Sequence, residues 1–372
     1  MINTARLAAV MRKELIQFLR DRFMLLLIVF LYTAEILMCT YALSFDVRHL
    51  PTVVADFDRS AASRLLTERF RSSGYFDINH QTTRDADLAA LLNRGEALAA
   101  LVIPPEFSRH LAAGTPVSVQ LLLDGANANT ASVAQGYAQR IVQAYALDRL
   151  QAFAPEPLAL SVEHRPRIWY NSELKYAYFM VLSMIALAGM MVGVITAAAG
   201  IVREKESGTI EQMLVTPVRP AELLAAKMLP TLLVGLLALV PSLLIAAWIG
   251  VPMRGSLALF FLLSAVFLVS SMGIGILVAT FADTLQQALL MSFFALFPIL
   301  FLSGTLVPVE SMPVWLQYLA ELSPLTHYMD ATLGIFLKGV GMEVLWHPLA
   351  AISLIASALL AGGILQLRRR MR

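Results

Sequence analysis

Long apolar runs separated by short polar intervals fill most of this chain, and one polar interval is far longer than the others. Phe23–Leu43, Tyr176–Val202, Leu223–Ile249, Leu257–Phe281, Leu285–Val307 and Leu345–Leu365 are almost free of charge. Each reaches the ~20 residues a helix needs to cross the hydrocarbon of a bilayer, where a helix satisfies its own backbone polar groups. Six transmembrane helices are predicted, the first over 23–43 and the rest within 174–372. Residues 1–22 follow a different rule. Leu7, Val10, Met11, Leu15 and Phe18 recur at spacings of three and four with basic residues between them. This predicts an amphipathic helix lying in the headgroup layer.

The long polar interval, 44–173, predicts a domain with its own core. Thr52–Ala55, Ala99–Ile103 and Val117–Leu123 read as strands. Helical patterns at Ala61–Ser72, Arg84–Arg94 and Glu106–Ala113 alternate with them, and a longer one, Thr130–Phe153, follows Asp124-Gly125-Ala126-Asn127. That alternation predicts a small α/β fold. A second feature, near 310–325, is helical in pattern but too short to cross and bracketed by Pro313 and Pro324. Trp315 and Tyr318 suit a membrane interface. The fold class is therefore an α-helical integral membrane protein with six spans and an inserted α/β domain.

Composition agrees, with 58% apolar and 15% charged residues. Charge placement adds the topology. Arg6, Arg12, Lys13, Arg20 and Arg22 precede the first span, and Arg368, Arg369, Arg370 and Arg372 follow the last. Short segments rich in Arg and Lys stay in the cytoplasm, so both termini are expected inside and the α/β domain outside, in the periplasm. The loop with Arg203, Lys205 and Arg219 then falls inside; the turn with Arg254 is the exception. The polar lead is longer than that of a secretory signal, so the first span is expected to be retained. Cys39 is the single cysteine, which excludes an internal disulfide or a cysteine metal framework. The composition carries no nucleic-acid signature.

The segment with the densest chemistry is Arg203-Glu204-Lys205-Glu206-Ser207-Gly208-Thr209-Ile210-Glu211-Gln212-Met213-Leu214. Ile210, Met213 and Leu214 form an apolar stripe that can seat in a groove. Arg203, Glu204, Glu206 and Glu211 can pair across an interface, or simply set topology. Gly208 permits a sharp turn and Thr216-Pro217 ends the helix. Glu35, deep in the first span, must face protein or water; it can meet a cationic cargo, take up protons, or pack protonated against a hydroxyl. Met190, Phe293, Phe294 and Phe297 are candidate lining of a cargo path. Gly189-x-x-x-Gly193 and Gly273-x-Gly275 allow close helix approach, within one subunit or between two. No G-x-x-x-x-G-K-[ST] loop occurs, and the external domain holds no catalytic constellation; no metal or cofactor is expected on this chain.

In order and spacing these features resemble the permease subunits of type-2 ABC exporters, above all the multidrug-type subfamily of bacterial inner membranes. Arg203–Glu211 followed by Thr216-Pro217-Val218 and Glu222 is similar to that family's coupling segment, and Ser323–Ala331 to its external stretch before the last span. Asp56–Ser60, Ile103–Phe107 and Asp124–Asn127 match the punctuation of its external domain. The resemblance implies that the 203–222 loop, with Arg203, Glu204, Lys205, Glu206, Gly208, Thr209, Ile210, Glu211, Met213 and Leu214, docks a cytoplasmic ABC ATPase. ATP and Mg would sit on that partner. It further implies a second permease copy or close relative, a periplasmic adaptor in some relatives, contact with membrane lipid, and drug-like or lipid-like cargo. An ion-gradient transporter using Glu35, and a receptor or scaffold using the α/β domain, are the rival readings.

Overall fold

The computed structural model describes residues 4–42, 49–126, 128–153, 169–171, 175–208 and 220–370. The chain divides into two compact units, one of Met1–Ser44 with Ile168–Arg372 and the other of Phe45–Arg167.

The first unit is helical. Helix α1 (Thr4–Arg20) precedes α2 (Arg22–Tyr32) and α3 (Ala34–Ala42). After the second unit come the spans α8 (Tyr176–Glu206), α9 (Pro220–Ile249), α10 (Leu257–Phe281), α11 (Leu285–Leu302) and α14 (Met342–Arg370). Among the described residues, six helical segments are long and apolar enough to cross a membrane, with α2 and α3 together forming the first. That first span breaks at Thr33, whose φ and ψ of −133° and −77° leave the helical region. The break exposes a carbonyl inside an apolar bundle, where a missing partner would be costly. Ser242 of α9, beside Pro241, donates to Tyr32 O at 2.8 Å and satisfies it.

The fifth span is shorter than its apolar run predicts. It stops at Leu302 because Ser303 and Thr305 both turn back to Leu300 O at 3.0 Å, and Gly304 takes a φ of +79°. Beyond it, α12 (Val314–Glu321) exposes Trp315 and Tyr318, whereas α13 (Pro324–Leu333) is almost wholly buried. Ser323 caps α13 and Pro324 occupies its first turn. His327 is tied to the Glu321 carbonyl at 2.8 Å. A π-turn over Gly334–Lys338 accepts a hydrogen bond from Arg254 N through Phe336 O, so the turn with the exceptional arginine is packed against this segment.

Span α8 is the axis of the unit. Of its apolar window 78% is buried, against 22% for α9 and 17% for α11 and α14. Close packing on α10 makes this burial possible. A methyl group at Gly193 would meet Ser271 Cβ at 2.6 Å, and one at Gly275 would run into the carbonyl of Val194. Gly273, two residues away and so on another face, meets Leu359 Cβ of α14 at 2.8 Å. The small residues of α8 and α10 thus serve packing within one chain.

The second unit alternates β1 (Leu50–Asp56), α4 (Ala61–Ser72), β2 (Phe76–Thr82), α5 (Asp85–Asn93), β3 (Ala99–Ile103), α6 (Phe107–Ala112), β4 (Gln120–Leu123) and α7 (Ala128–Phe153). The sheet order is β2-β1-β3-β4, with β1, β2 and β3 parallel and β4 antiparallel to β3. Strand β2 has no signal in the sequence: as an edge strand it buries Phe76 and little else. Val117–Val119 lies outside β4. The Asp56–Ser60 turn ties the end of β1 to α4 and α6, for Asp56 accepts from Arg59 N at 2.8 Å and Ser63 Oγ at 2.6 Å, and Asp58 from Ser108 N at 3.1 Å.

The α8–α10 contact supplies a test. Gly275→Ala should destabilise the purified chain by about 1–3 kcal/mol, the usual penalty for overpacking, seen as a lower melting temperature in detergent. Gly200→Ala, where a methyl meets nothing within 4 Å, should leave the melting temperature unchanged or raise it.

Candidate functional site

The run Arg203-Glu204-Lys205-Glu206 is the last turn of α8, not part of a loop. Successive residues of a helix point about 100° apart, so four in a row face four directions. Because α8 is the central span, each direction meets a different neighbour. Every one of the four charges is engaged.

Arg203 donates through Nη1 to Asp21 Oδ2. Asp21 is the N-cap of α2, its Oδ1 accepting from Met24 N at 3.0 Å. Partial burial works to raise the Asp21 carboxyl pKa, but the Arg203 hydrogen bond and the backbone N–H groups of Met24 and Phe23 prevail and hold it below the usual range. A depressed carboxylate contributes stability above its unfolded pKa and loses it only in acid, so this tie persists across neutral pH.

Glu204 points the other way and is buried, its side chain 7% exposed. Lys227 Nζ of α9 lies 2.8 Å from Glu204 Oε1 and 3.2 Å from Glu14 Oε2 of α1. The same ammonium donates to Gly200 O at 3.2 Å. Lys13 stands at the rim, 3.5 Å from Glu14 and 3.6 Å from Glu204. Among the described residues neither carboxylate oxygen of Glu204 accepts a directed hydrogen bond; the attraction is electrostatic and depends on Lys227 staying in place.

Lys205 and Glu206 act on helix ends. Lys205 Nζ donates to Ala279 O at 2.6 Å and Ala282 O at 2.9 Å, neutralising the carbonyl end of α10. Glu206 Oε1 accepts from Leu285 N at 2.8 Å at the N-terminus of α11, where Thr284 supplies the side-chain cap. A cation at a helix C-terminus and an anion at an N-terminus both complement the macrodipole. Ser207 then closes the helix and Gly208, at φ +68°, turns the chain. Thr209, Ile210, Glu211, Met213 and Leu214 lie outside the described residues.

The family model described as ABC-2 family transporter protein matches residues 21–365. The chain belongs to that family. It is 30% identical over 367 residues to the probable multidrug ABC transporter permease YbhR of Escherichia coli K12, covering 98% of this chain and 99% of that protein. To the inner membrane transport permease YhhJ of the same organism it is 31% identical over 363 residues, 96% of this chain and 95% of that protein. A more distant likeness, 24% over 347 residues, joins it to ABC transporter G family member 20 of Dictyostelium discoideum; this covers 90% of the chain and 46% of that protein. The ABC-2 chain is thus a multi-pass membrane protein in which the end of one span binds the ends of its neighbours.

Of the residues proposed for a cargo path in this ABC-2 chain, Phe293 contacts both Phe294 and Phe297 through their rings. Met190 is fully buried in the core of the helical unit, whereas Phe293, Phe294 and Phe297 stand 59%, 72% and 51% exposed on the outer face of α11. Glu35 is half-buried in the first turn of α3, just past the break in the first span. Glu204, expected to reach a partner, is instead turned inward. Asp21, Glu14 and Lys227 were missed as site residues. Lys227 carried a signal, a lone lysine at the start of an apolar run. Asp21 and Glu14 carried none beyond a mixed-charge lead.

Breaking a buried ion pair leaves an uncompensated charge, at about 3–5 kcal/mol. Lys227→Met should therefore lower the melting temperature of the purified chain sharply. Adding Glu204→Gln to it should recover a large part of the loss, and the double-mutant cycle should report coupling of about 0.5–3 kcal/mol.

Proposed function

We propose that this chain is the membrane-spanning permease of an ATP-driven ABC exporter in the bacterial inner membrane. It moves amphipathic drug-like or lipid-like molecules outward. A separate cytoplasmic ABC ATPase, carrying ATP and Mg, docks on the 203–222 segment, and a second permease copy or close relative completes the transport path. Both termini lie in the cytoplasm, the α/β unit lies in the periplasm, and an adaptor there would meet that unit.

The observation that carries this reading is the fourfold attachment of the α8 end. A partner that displaces the segment after Gly208 pulls directly on Arg203–Glu206. Through them it acts on the N-cap of α2, on Lys227 of α9, on the C-terminus of α10 and on the N-terminus of α11. Rigid spans joined at one end move as bodies, so one push reorients four spans. The relatives named as multidrug permeases point to the same class of cargo.

Two kinds of damage should be separable. Met213→Ala with Leu214→Ala should release the ATPase during mild-detergent purification while the chain still inserts. Lys205→Ala with Glu206→Ala should keep the ATPase bound and vanadate-sensitive hydrolysis running, yet cut export about tenfold or more, as expected when some 1.4 kcal/mol of coupling is lost. Recovery of the wild-type chain alone from several gentle detergents, with no ATP-binding companion, would sink the proposal.

A further inference from the structure

Between α1 and the end of α8 runs an open groove lined by Lys13, Ile16, Gln17, Arg20, Asp21 and Arg203. We infer that this groove is a binding site for the headgroup of an anionic phospholipid. The inference goes beyond export and does not depend on its direction.

Charge comes first. The groove and the cluster behind it hold four cations, Lys13, Arg20, Arg203 and Lys227, against three carboxylates, Glu14, Asp21 and Glu204. Lys227 lies within 3.2 Å of both glutamates and is 11% exposed, so it is spent inside the protein. Asp21 is taken up by Arg203 and by Met24 N. The surplus falls on the groove side. Arg20 is exposed, Lys13 is 53% exposed and only at the outer edge of its glutamates' reach, and Arg203 remains 41% exposed after binding Asp21. Guanidinium and ammonium groups converging on one concave surface are suited to phosphate oxygens.

Level comes second. Asp21 caps α2, and the first span begins at Arg22. The groove therefore opens where hydrocarbon gives way to headgroups, whichever leaflet that is. Third, the helices that meet at the groove expose apolar side chains. Phe23, Leu26 and Phe30 are 72%, 69% and 43% exposed at spacings of three and four along α2, one apolar face of the span that Asp21 caps. Ile16 and Leu19 extend the apolar surface on the α1 side, 43% and 52% exposed. A free phosphate would use only the basic groups, and an acidic protein surface would not use the exposed apolar side chains. A phospholipid uses both.

The site has a consequence for the α8 end, because Arg203 belongs to both. An anion in the groove would add acceptors to the guanidinium already holding the α2 cap, and would strengthen the seat of α1 against the bundle. Depletion of anionic lipid would loosen it.

The test is native mass spectrometry of the full chain after exchange into detergent with equal amounts of phosphatidylglycerol and phosphatidylcholine. Wild type should retain phosphatidylglycerol in preference. Arg20→Gln should reduce that preference roughly fivefold, the worth of one basic group near an anionic surface. Arg20→Lys should keep most of it, and Arg254→Gln, in a different loop, should leave it intact. Equal retention of the two lipids by wild type would overturn the proposal. So would an unchanged preference in Arg20→Gln, or an equal loss in Arg254→Gln, which would mark an unspecific effect of net charge. Release of phosphatidylglycerol by excess inorganic phosphate would reassign the groove to free anions. Loss of the companion ATPase from Arg20→Gln, with lipid retention unchanged, would reassign it to a protein contact.

Discussion

A helix with neighbours on every side has no lipid to face, and that constraint on α8 organises the helical unit. Hydrocarbon offers no hydrophobic drive between apolar helices, so their association rests on close packing and polar contacts. Along its apolar length α8 uses the first. Gly189 and Gly193 bring it against Phe267 and Ser271, and Gly275 of α10 abuts the Val194 carbonyl. At its charged end it uses the second. Four consecutive residues reach four partners, because helical geometry spreads them around the axis and the bundle supplies a neighbour on each side.

The partners differ in kind. Two of the four contacts meet helix termini directly, the carbonyl end of α10 and the N–H end of α11. A third binds the side chain that caps α2. The fourth enters a buried cluster in which one lysine serves two glutamates. Such clusters contribute little net stability when intact and cost several kcal/mol when broken. Their value lies in specifying one arrangement. Here they register α1, α2, α9, α10 and α11 on a single turn of helix, so a displacement of that turn cannot be absorbed by one neighbour alone. The break at Thr33 shows the same economy. The Tyr32 carbonyl at the break in the first span is met by Ser242 of the third.

Most of the architecture could be read from residue patterns. The apolar runs located the spans to within a few residues, since a bilayer demands a fixed length of uninterrupted apolar helix. The α/β alternation appeared in the second unit wherever strands are buried on both faces. Strand β2 was invisible because it buries only Phe76 among mostly polar residues, whereas the other edge strand, β4, carries three leucines in a row. The end of α11 was misplaced by five positions because Ser303 and Gly304 stop a helix whose apolar character continues to Val307.

The sequence by itself determined that this is a six-span chain with one large polar insertion, and that its dominant chemical feature is the charge run at 203–206. Composition and length suffice for that, because the solvent imposes them. What those charges hold was decided only in three dimensions. The run looked like an exposed surface for a partner, since four charges in a row normally face water. The structure engages all four with other helices, burying Glu204 while Glu206 stays exposed, and one partner, Asp21, lies 182 positions away in sequence. Periodicity describes which side of a helix a residue occupies; it is silent on whether lipid, water or another helix end waits there. That depends on how many neighbours the helix has, which is a property of the assembled bundle.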